Sequence, residues 1–422
     1  MIGHGSEKVA QRGCRLFIGR FEPLPGNLEQ PLALRYHGHQ FRVYNPDIGD
    51  GRGFLFAQLR DGEGRLLDLG TKGSGQTPYS RFGDGRLTLK GAVREVLATE
   101  MLEALGVETS KTFSLIETGE ALERNDEPSP TRSAVLVRLS HGHIRIGTFQ
   151  RLAYFDQDDN IRRLTDYCLQ HYFGEDGGED AAARLLDRVA EGTARLAASY
   201  IAAGFVHGVL NSDNIAISAE SFDYGPWRWT PFWDGHFTAA YFDHSGLYAF
   251  GRQPEAIHWD LIQLALSLRA IAPAEALTPV MERFPDRFQH ALRDAVFARL
   301  GIAVGEIGND MELVGAIESA LVKRTVGIDR FFFDWRGGAV RGPSPAAEAY
   351  ENEEFAGLRR LIAFCQAVPG ALDNEYWSDE EPCSMHIEEV EAIWSRIDEA
   401  DDWTALHDKL AAVRRMGEAM RA

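Results

Sequence analysis

Cysteine is scarce in this chain, with only four in 422 residues: Cys14, Cys168, Cys365 and Cys383. They are scattered, and no Cys-x-x-Cys pair or cluster with histidine has the spacing of a zinc site. We therefore expect buried or idle thiols rather than disulfide bonds or metal ligands.

Long apolar runs and an excess of basic charge are also missing. No run approaches the roughly 18 residues that span a bilayer, and the first residues, Met-Ile-Gly-His-Gly-Ser-Glu-Lys, lack the apolar core of a signal peptide. The 63 acidic residues outnumber the 44 basic ones, giving a net charge of −19, which argues against general affinity for nucleic acid or anionic lipid. We expect a cytoplasmic monomer without a nucleic-acid or membrane partner.

The residue pattern changes once along the chain. A hydrophobic content of 44% with 25% charged residues is ordinary for a globular protein, and the length suffices for two or three core-forming units. The first third has short apolar runs broken by Gly, Asp and Asn, whereas the remainder is increasingly helical in pattern. Strands are predicted at Cys14 to Ile18, Phe54 to Leu59, Arg65 to Leu69, Thr112 to Glu117 and Ala134 to Leu139.

One helix interrupts these strands. From Lys90 to Leu105 the apolar residues recur near a 3.6-residue period, and Gly106 is placed to end the helix. Further helices are predicted at Ala181 to Ala203, His258 to Ile271, Asp286 to Leu300, Met311 to Lys323, Ala346 to Ala367, Ile387 to Ile397 and Trp403 to Met420. A loop is predicted from Gly337 to Pro345.

The densest polar chemistry lies between His207 and Pro226. Asn211, Asp213, Asn214 and Asp223 fall within thirteen positions, between apolar residues that predict short buried strands. An Asp-Asn pair followed by an Asp-x-Gly segment is what an ATP site needs if one amide and one carboxylate oxygen hold the metal. An Asx-rich turn followed by a Tyr-Gly-Pro turn is the alternative. His207 is expected to orient the loop by hydrogen bonding.

Two Gly-Asp-Gly-Arg turns, at Gly49 to Arg52 and at Gly83 to Arg86, flank Lys72. Such turns can bring backbone N–H groups to a phosphate, although Asp-Gly is also a common hairpin turn. Glu95 follows Lys72 by 23 residues, within the predicted helix. A lysine steadied by a helix glutamate orients ATP phosphates in kinase-like proteins. A solvated lysine and an exposed helix glutamate are the alternatives.

Two arginines frame the segment Arg-Leu-Ser-His-Gly-His-Ile-Arg. Arg138 closes an apolar strand, where a buried guanidinium needs an anion, and Arg145 ends the segment. Phosphate matches the donor geometry of arginine, and a salt bridge to a carboxylate is the alternative for either residue.

Taken in order, these segments resemble the selenoprotein O family, kinase-fold proteins that look like pseudokinases yet act as protein adenylyltransferases. The resemblance covers roughly residues 36–254 and fades after about Leu268. The matching blocks are Tyr-His-Gly-His-Gln-Phe from Tyr36, Gly-Asp-Gly-Arg from Gly49, Lys-Gly-Ser-Gly-Gln-Thr-Pro-Tyr-Ser-Arg-Phe-Gly-Asp-Gly-Arg from Lys72, Arg94-Glu95, Ser-His-Gly-His-Ile-Arg-Ile-Gly-Thr-Phe from Ser140, and His207 to Pro226.

The resemblance implies an α+β, protein-kinase-like two-lobe fold. Together with the helical pattern of the later residues, it predicts a sheet-bearing N-lobe over residues 1–139, a mostly helical C-lobe over 140–300 and a helical C-terminal extension over 301–422. It implies Asp213 as proton acceptor, Asn214 and Asp223 as ligands of Mg²⁺ or Mn²⁺, and Glu95 as support for Lys72. The ATP contacts that it implies are Gly49, Gly51, Arg52, Lys72, Asp84, Gly85, Arg138, Arg145 and Asp223.

The expected activity is transfer of AMP from ATP, bound in the flipped orientation of the family, to Ser, Thr or Tyr hydroxyls of proteins. Phosphoryl transfer of the kinase type and a non-catalytic nucleotide-binding scaffold are the alternatives. We expect Asp223→Ala to abolish metal-dependent activity while leaving the fold intact. Many relatives carry a redox-active residue near the C-terminus, whereas the last cysteine here is Cys383, so a regulatory disulfide is not expected.

Overall fold

The computed structural model describes residue 23 and residues 25–125 and 127–421. The predicted strand from Cys14 to Ile18, and Cys14 itself, lie outside these residues. The three described cysteines, Cys168, Cys365 and Cys383, are free thiols.

A five-stranded antiparallel sheet forms most of the N-terminal part. Its strands are β3 (Gly53–Arg60), β4 (Leu66–Lys72), β5 (Leu87–Thr88), β6 (Lys111–Leu122) and β7 (Thr131–Ser140). The order is β3-β4-β7-β5, and β6 also pairs with β7. Strand β7 pairs with β4, β5 and β6 and has the longest buried run of this sheet, with Ala134 to Val137 almost completely buried. Before the sheet, β1 (Gly38–Gln40) and β2 (Val43–Asn45) form a hairpin that the sequence did not predict.

The first helix of the described residues, α1 (Leu89–Ala104), follows β5 directly. The side chain of Thr88 accepts a hydrogen bond from the backbone of Gly91 and so caps the helix, and Gly106 lies just after it with φ +79°. Leu97, Ala98 and Met101 are fully buried against the sheet and the later helices. The predicted helix is therefore confirmed with its boundaries shifted by one residue.

The rest of the chain is mostly helical. Its elements are α2 (Ile146–Tyr154), α3 (Asp158–Cys168) with a π-helical turn Leu169–Phe173, α4 (Ala181–Ala203), α5 (Gln253–Leu268), α6 (Ala274–Glu282), α7 (Phe284–Leu300), α8 (Ile307–Leu321), α9 (Ile328–Asp334), α10 (Ala347–Tyr350), α11 (Ala356–Ile362), α12 (Ile387–Ala400) and α13 (Thr404–Arg421). The predicted arrangement, a sheet-bearing region followed by a mostly helical one, is confirmed. The limits predicted for the lobes and the extension stay predictions.

One predicted helix is wrong. Residues 346–367 form two short helices, α10 and α11, separated by a 3-10 turn (Glu353–Phe355) rather than one continuous helix. The backbone of Asn352 is extended, with ψ 159°, and Arg359 donates to the carbonyl oxygens of Tyr350 and Asn352. This break lets Tyr350 and Phe355 both turn into the core, where each is at most 1% exposed.

The strands expected around the central polar stretch lie just outside it. They are β8 (Phe205–Val206) and β9 (Arg228–Trp229), which pair antiparallel and close the stretch into a loop. Inside the loop the regular structure is a single 3-10 turn, Ser212–Asn214. None of the described helices is long and apolar enough to cross a membrane.

Candidate active site

The carboxylate of Asp223 lies at the centre of the site, among three buried cations. Arg138 Nη1 lies 2.7 Å and Lys72 Nζ 3.1 Å from Asp223 Oδ1, while Arg145 Nη1 lies 3.3 Å from Oδ2. In the sheet Lys72 of β4 pairs with Leu136 of β7, and Arg138 is two residues beyond Leu136 in β7. The two cations are therefore diagonal neighbours on one face of the sheet, which fixes their spacing.

The ionisation of Asp223 is governed by these neighbours. Burial by itself would raise the pKa of the carboxyl, but Lys72, Arg138 and Arg145 outweigh it and hold the pKa well below the usual range. Asp223 is an anion at neutral pH, and its backbone has φ +59°, an uncommon conformation for a residue other than glycine.

Glu95 holds Lys72 from the helix side. Both residues are buried, and their side chains form an ion pair that joins β4 to α1. His207 steadies the same region, because its Nε2 donates a hydrogen bond of 2.9 Å to the carbonyl of Phe222, next to Asp223. The expected hydrogen bonding of His207 within this loop is confirmed, and Lys72 and Glu95 form the pair that was suggested for them.

Arg145 joins the two halves of the polar stretch. It lies where α2 begins, and its Nη1 donates to the carbonyl oxygen of Asp213 at 3.0 Å as well as contacting Asp223. The guanidinium lies 4.3 Å from the centroid of the Tyr36 ring and 4.8 Å from that of Phe222, distances typical of cation–π contacts. Tyr36 begins one of the blocks that resemble the family, but its sequence context indicated no role for the ring.

Some donors of the two arginines are buried without a partner. Arg138 Nε, Arg145 Nε and Arg145 Nη2 meet no hydrogen-bond acceptor within the described part of the chain. A buried unpaired donor costs about 1–3 kcal/mol, and more when it is charged. Phosphate oxygens match guanidinium donors well, so an anionic ligand would satisfy these atoms.

Asp213 lies on the 3-10 turn and is only 7% exposed. Its Oδ1 has no hydrogen-bond donor near it among the described residues. Burial, helped by the charge of Asp223 and opposed by Arg145, raises the pKa of Asp213 to about 6. A carboxylate that titrates near neutral pH suits a general base. The adjacent Asn214 donates from Nδ2 to the carbonyl of Val209 at 3.0 Å, which leaves its amide oxygen for another partner.

The β1–β2 hairpin, which the sequence did not predict, packs directly on this turn. A Cβ atom on Gly38 would lie 2.8 Å from Asp213 Oδ1, so no larger residue fits there without moving the carboxylate. The backbone N–H of His39 donates to Ser212 Oγ at 2.7 Å. The sequence signal for this contact was Gly38 itself, which lies in the block that begins at Tyr36 and for which the sequence showed no other role.

The two Gly-Asp-Gly-Arg turns are joined into one wall of the site by the segment between them. Thr77 Oγ1 donates to the carbonyl of Asp50 at 2.6 Å, and the ring of Tyr79 fills the space that a Cβ atom on Gly49 would need. Gly85 has φ +71° and lies so close to Gly75 that a Cβ atom would be 2.2 Å from its carbonyl carbon. Gly49 is thus required by the close approach of the Tyr79 ring, and Gly85 by the close approach of the Gly75 backbone.

These elements enclose a cavity of about 930 Å³, which lies within the range of small-molecule sites. Three of the predicted site residues do not line this cavity but lie just behind its lining: Glu95, Arg145 and Asp213. The predicted site residues that line it are Gly49, Gly51, Arg52, Lys72, Asp84, Gly85, Arg138, Asn214 and Asp223. The structure therefore brings all twelve predicted residues to one place, whereas their individual roles stay predictions.

The donor set fits a metal ion that arrives with a nucleotide. Asn214 and Asp223 offer one amide and one carboxylate oxygen, and Mg²⁺ accepts few protein ligands when phosphates and water complete its octahedron. No group of three His, Cys, Asp or Glu side chains that could hold a metal by themselves occurs in residues 25–125 and 127–421.

A sheet lysine paired with a helix glutamate, followed by an Asp-Asn turn and an Asp-x-Gly segment at the same cavity, defines a protein of the kinase-like class. Comparison with known proteins narrows this class to one family. The chain belongs to the family described as protein adenylyltransferase SelO, whose model matches residues 7–414. The predicted family, and with it the predicted enzyme class, are confirmed.

Individual relatives agree. The chain is 52% identical over 403 residues to a protein nucleotidyltransferase YdiU of Synechocystis sp., covering 89% of this chain and 83% of the relative. Proteins of the same name are 49% identical in Synechococcus elongatus, over 92% of this chain and 83% of the relative, and 45% identical in Gloeobacter violaceus, over 91% and 82%. The resemblance therefore extends well beyond residues 36–254, where the matching blocks lie.

Proposed function

We propose that this protein transfers AMP from ATP to Ser, Thr or Tyr hydroxyls of protein substrates and releases pyrophosphate. Family membership supports protein nucleotidyl transfer as the reaction class. The observation that carries the residue assignment is the cluster of Lys72, Arg138 and Arg145, which has buried donors left over for an anion.

Binding of ATP changes the ion-pair partners of the three cations and of Asp223. The three cations share the carboxylate of Asp223. A triphosphate carries more negative charge and more acceptor oxygens, so it draws the cations away from Asp223. The released carboxylate, together with Asn214, would then hold Mg²⁺ or Mn²⁺, which supplies charge neutralisation for the phosphates when bound.

In the proposed transfer step, Asp213 acts on the attacking hydroxyl and the three cations act on the leaving group. Asp213 accepts the proton of the acceptor hydroxyl while the hydroxyl oxygen bonds to the α-phosphorus. The bond between that phosphorus and the bridging oxygen of pyrophosphate breaks, and the leaving group takes its electrons. Lys72, Arg138 and Arg145 stabilise the charge that develops there. With its pKa at about 6, Asp213 is about nine-tenths ionised at pH 7 and therefore available as a base.

The test is a parallel incubation of purified protein with ATP labelled on the α- or the γ-phosphate, with Mg²⁺ or Mn²⁺, reading label on the protein itself and on added acceptor proteins. We expect label from the α-position only, and its loss in Asp213→Asn but not in Asp187→Asn, whose carboxylate pairs with Arg283 and Arg287 elsewhere. Label from the γ-position would make the protein a kinase and overturn the roles given to the arginines. No label from either position, together with ATP-dependent stabilisation, would indicate a binding scaffold.

A further inference from the structure

The two C-terminal helices pack along the whole length of α1, the helix that carries Glu95. At the first turn of α1, Lys90 Nζ lies 2.6 Å from a carboxylate oxygen of Glu391 in α12. At the last turn, Gly417 of α13 lies so close to Ala104 that a Cβ atom on it would be 3.1 Å from the Cα of Ala104. Contacts at both ends restrict how far α1 can tilt or slide.

A third contact lies between these ends. Arg414 of α13 forms a two-pronged ion pair with Glu100 of α1, with N–O distances of 2.6 and 2.8 Å. Val413 and Met416, also in α13, are buried in the same hydrophobic cluster as Leu97 of α1. The interface thus combines an apolar core with a directional ion pair. We call α12 and α13 together the C-terminal clamp.

Arg94, the neighbour of Glu95, links this clamp to the Asp223 segment. Its Nη2 donates to the carbonyl of Trp227 at 3.1 Å, and its guanidinium lies 4.6 Å from the centroid of the Trp227 ring. Its Nη1 lies 3.8 Å from Glu391. Trp227 is four residues beyond Asp223, so one side chain connects α1, α12 and the segment that holds the central carboxylate.

We propose that Arg94, Glu391 and Arg414 are positioning residues. Through them, the C-terminal clamp holds α1 in the place where Glu95 pairs with Lys72. The inference rests on the proposed function, because the position of Lys72 matters to catalysis only if it binds the triphosphate. In kinase-like proteins the placement of this helix controls whether the Lys–Glu pair forms. Here the chain supplies the support itself, from residues about 300 positions away.

A purely structural interface would make a different prediction. If the clamp only adds stability, its variants should melt earlier but bind ATP and turn over as the wild type does while folded. If it positions α1, folded variants should show a higher KM for ATP and faster amide hydrogen exchange in residues 89–104. Kinetics and exchange are therefore both measured well below the melting temperature.

Two adjacent arginines on α13 provide a matched pair of variants. Arg414 reaches Glu100 on α1, whereas Arg415 forms a similar two-pronged pair with Asp379, outside α1, at 2.5 and 3.0 Å. We expect Arg414→Gln to lower kcat/KM for ATP about two- to five-fold, as suits one partly exposed ion pair, and Arg415→Gln to leave it unchanged. The charge-swapped double variant Glu100→Arg/Arg414→Glu should recover most of the loss.

A larger displacement is available at Gly417. Gly417→Leu forces α13 away from Ala104, and we expect kcat/KM for ATP to fall about 10- to 100-fold, since a misplacement of about 1 Å can cost about 100-fold. The control is Gly315→Leu, at an exposed helix position where an added Cβ atom would meet nothing within 4 Å, and it should behave as the wild type. Wild-type kinetics and exchange in Gly417→Leu, or equal losses in both arginine variants, would overturn the proposal.

The outcomes separate this inference from the proposed function. If the wild type transfers no label from the α-phosphate, the proposed function fails, but ATP affinity and α1 exchange still report on the clamp. Weaker ATP binding and faster exchange in Gly417→Leu would then support the clamp alone. If Gly417→Leu does not fold, the Arg414 and Arg415 comparison decides the matter by the same two measurements.

Discussion

Replacing Asp223 by alanine should cost stability as well as activity, contrary to the expectation from sequence that the fold would be unaffected. The carboxylate is the shared partner of Lys72, Arg138 and Arg145, whose side chains are 8%, 5% and 1% exposed. Asp223→Ala leaves these cations buried, with Glu95 as the remaining partner of Lys72. Removing one member of a buried pair costs about 3–5 kcal/mol.

For 422 residues, with an unfolding entropy of about 2.1 cal/mol/K per residue, this cost corresponds to a fall in melting temperature of about 3–6 °C if unfolding is cooperative. Asp84→Ala is the control, because Asp84 is about half exposed, forms an ion pair with Arg124 and accepts a hydrogen bond from the backbone of Arg86, so the loss of this exposed ion pair should cost at most about 1 kcal/mol. Thermal and chemical denaturation at pH 7, without nucleotide, measure both variants.

The contribution of Asp223 to the stability of the fold should depend on pH with a definite sign. Because the folded-state pKa of Asp223 is lowered, its contribution is fully present above the unfolded-state value and is lost as the pH falls through the folded-state value. The wild-type advantage over Asp223→Ala should therefore shrink only in acid. The unpaired cations should also bind pyrophosphate, so pyrophosphate without metal should stabilise Asp223→Ala more than the wild type. A variant that melts within about 1 °C of the wild type and gains no more from pyrophosphate would refute this account of the cluster.

Three further predictions concern catalysis. Because a base must be ionised and the pKa of Asp213 is about 6, the rate of AMP transfer should rise with pH through about 6 and then level off. Asp213→Asn should lose this rise of the rate with pH. A wild-type profile that is flat from pH 5 to 8 would contradict Asp213 as the base. Gly38→Ala should lower turnover by about 10-fold or more, as part of the 10²–10⁴-fold that a general base contributes, because its Cβ displaces the Asp213 carboxylate, whereas Gly62→Ala, with open space around it, should not. Chelation of divalent metal should abolish transfer and be reversed by adding Mg²⁺ or Mn²⁺, and activity that persists in excess chelator would remove the role given to Asn214.

Much of the fold could be predicted because its signals are local. The helices Leu89–Ala104 and Ala181–Ala203 and the strands around Lys72 and Arg138 carry their periodicity within a short window. The continuous helix predicted over residues 346–367 failed because tertiary packing of Tyr350 and Phe355 outweighs helix propensity there. The β1–β2 hairpin was missed since its strands have only three residues each.

The sequence by itself determined which chemical groups the protein possesses and their order along the chain: Lys72, Glu95, the two arginines, Asp213, Asn214 and Asp223. The family was indicated by the longer blocks around these residues, such as those that begin at Tyr36 and Lys72, because the residue types alone also fit a kinase. Only the tertiary structure decided that three cations share Asp223, that Gly38 lies against Asp213, and that Arg414 reaches α1 across 314 residues of chain. Contacts between such distant residues leave no periodicity in the sequence, since they depend on how whole helices and strands pack, and it is this packing that sets the charges, distances and supports of the site.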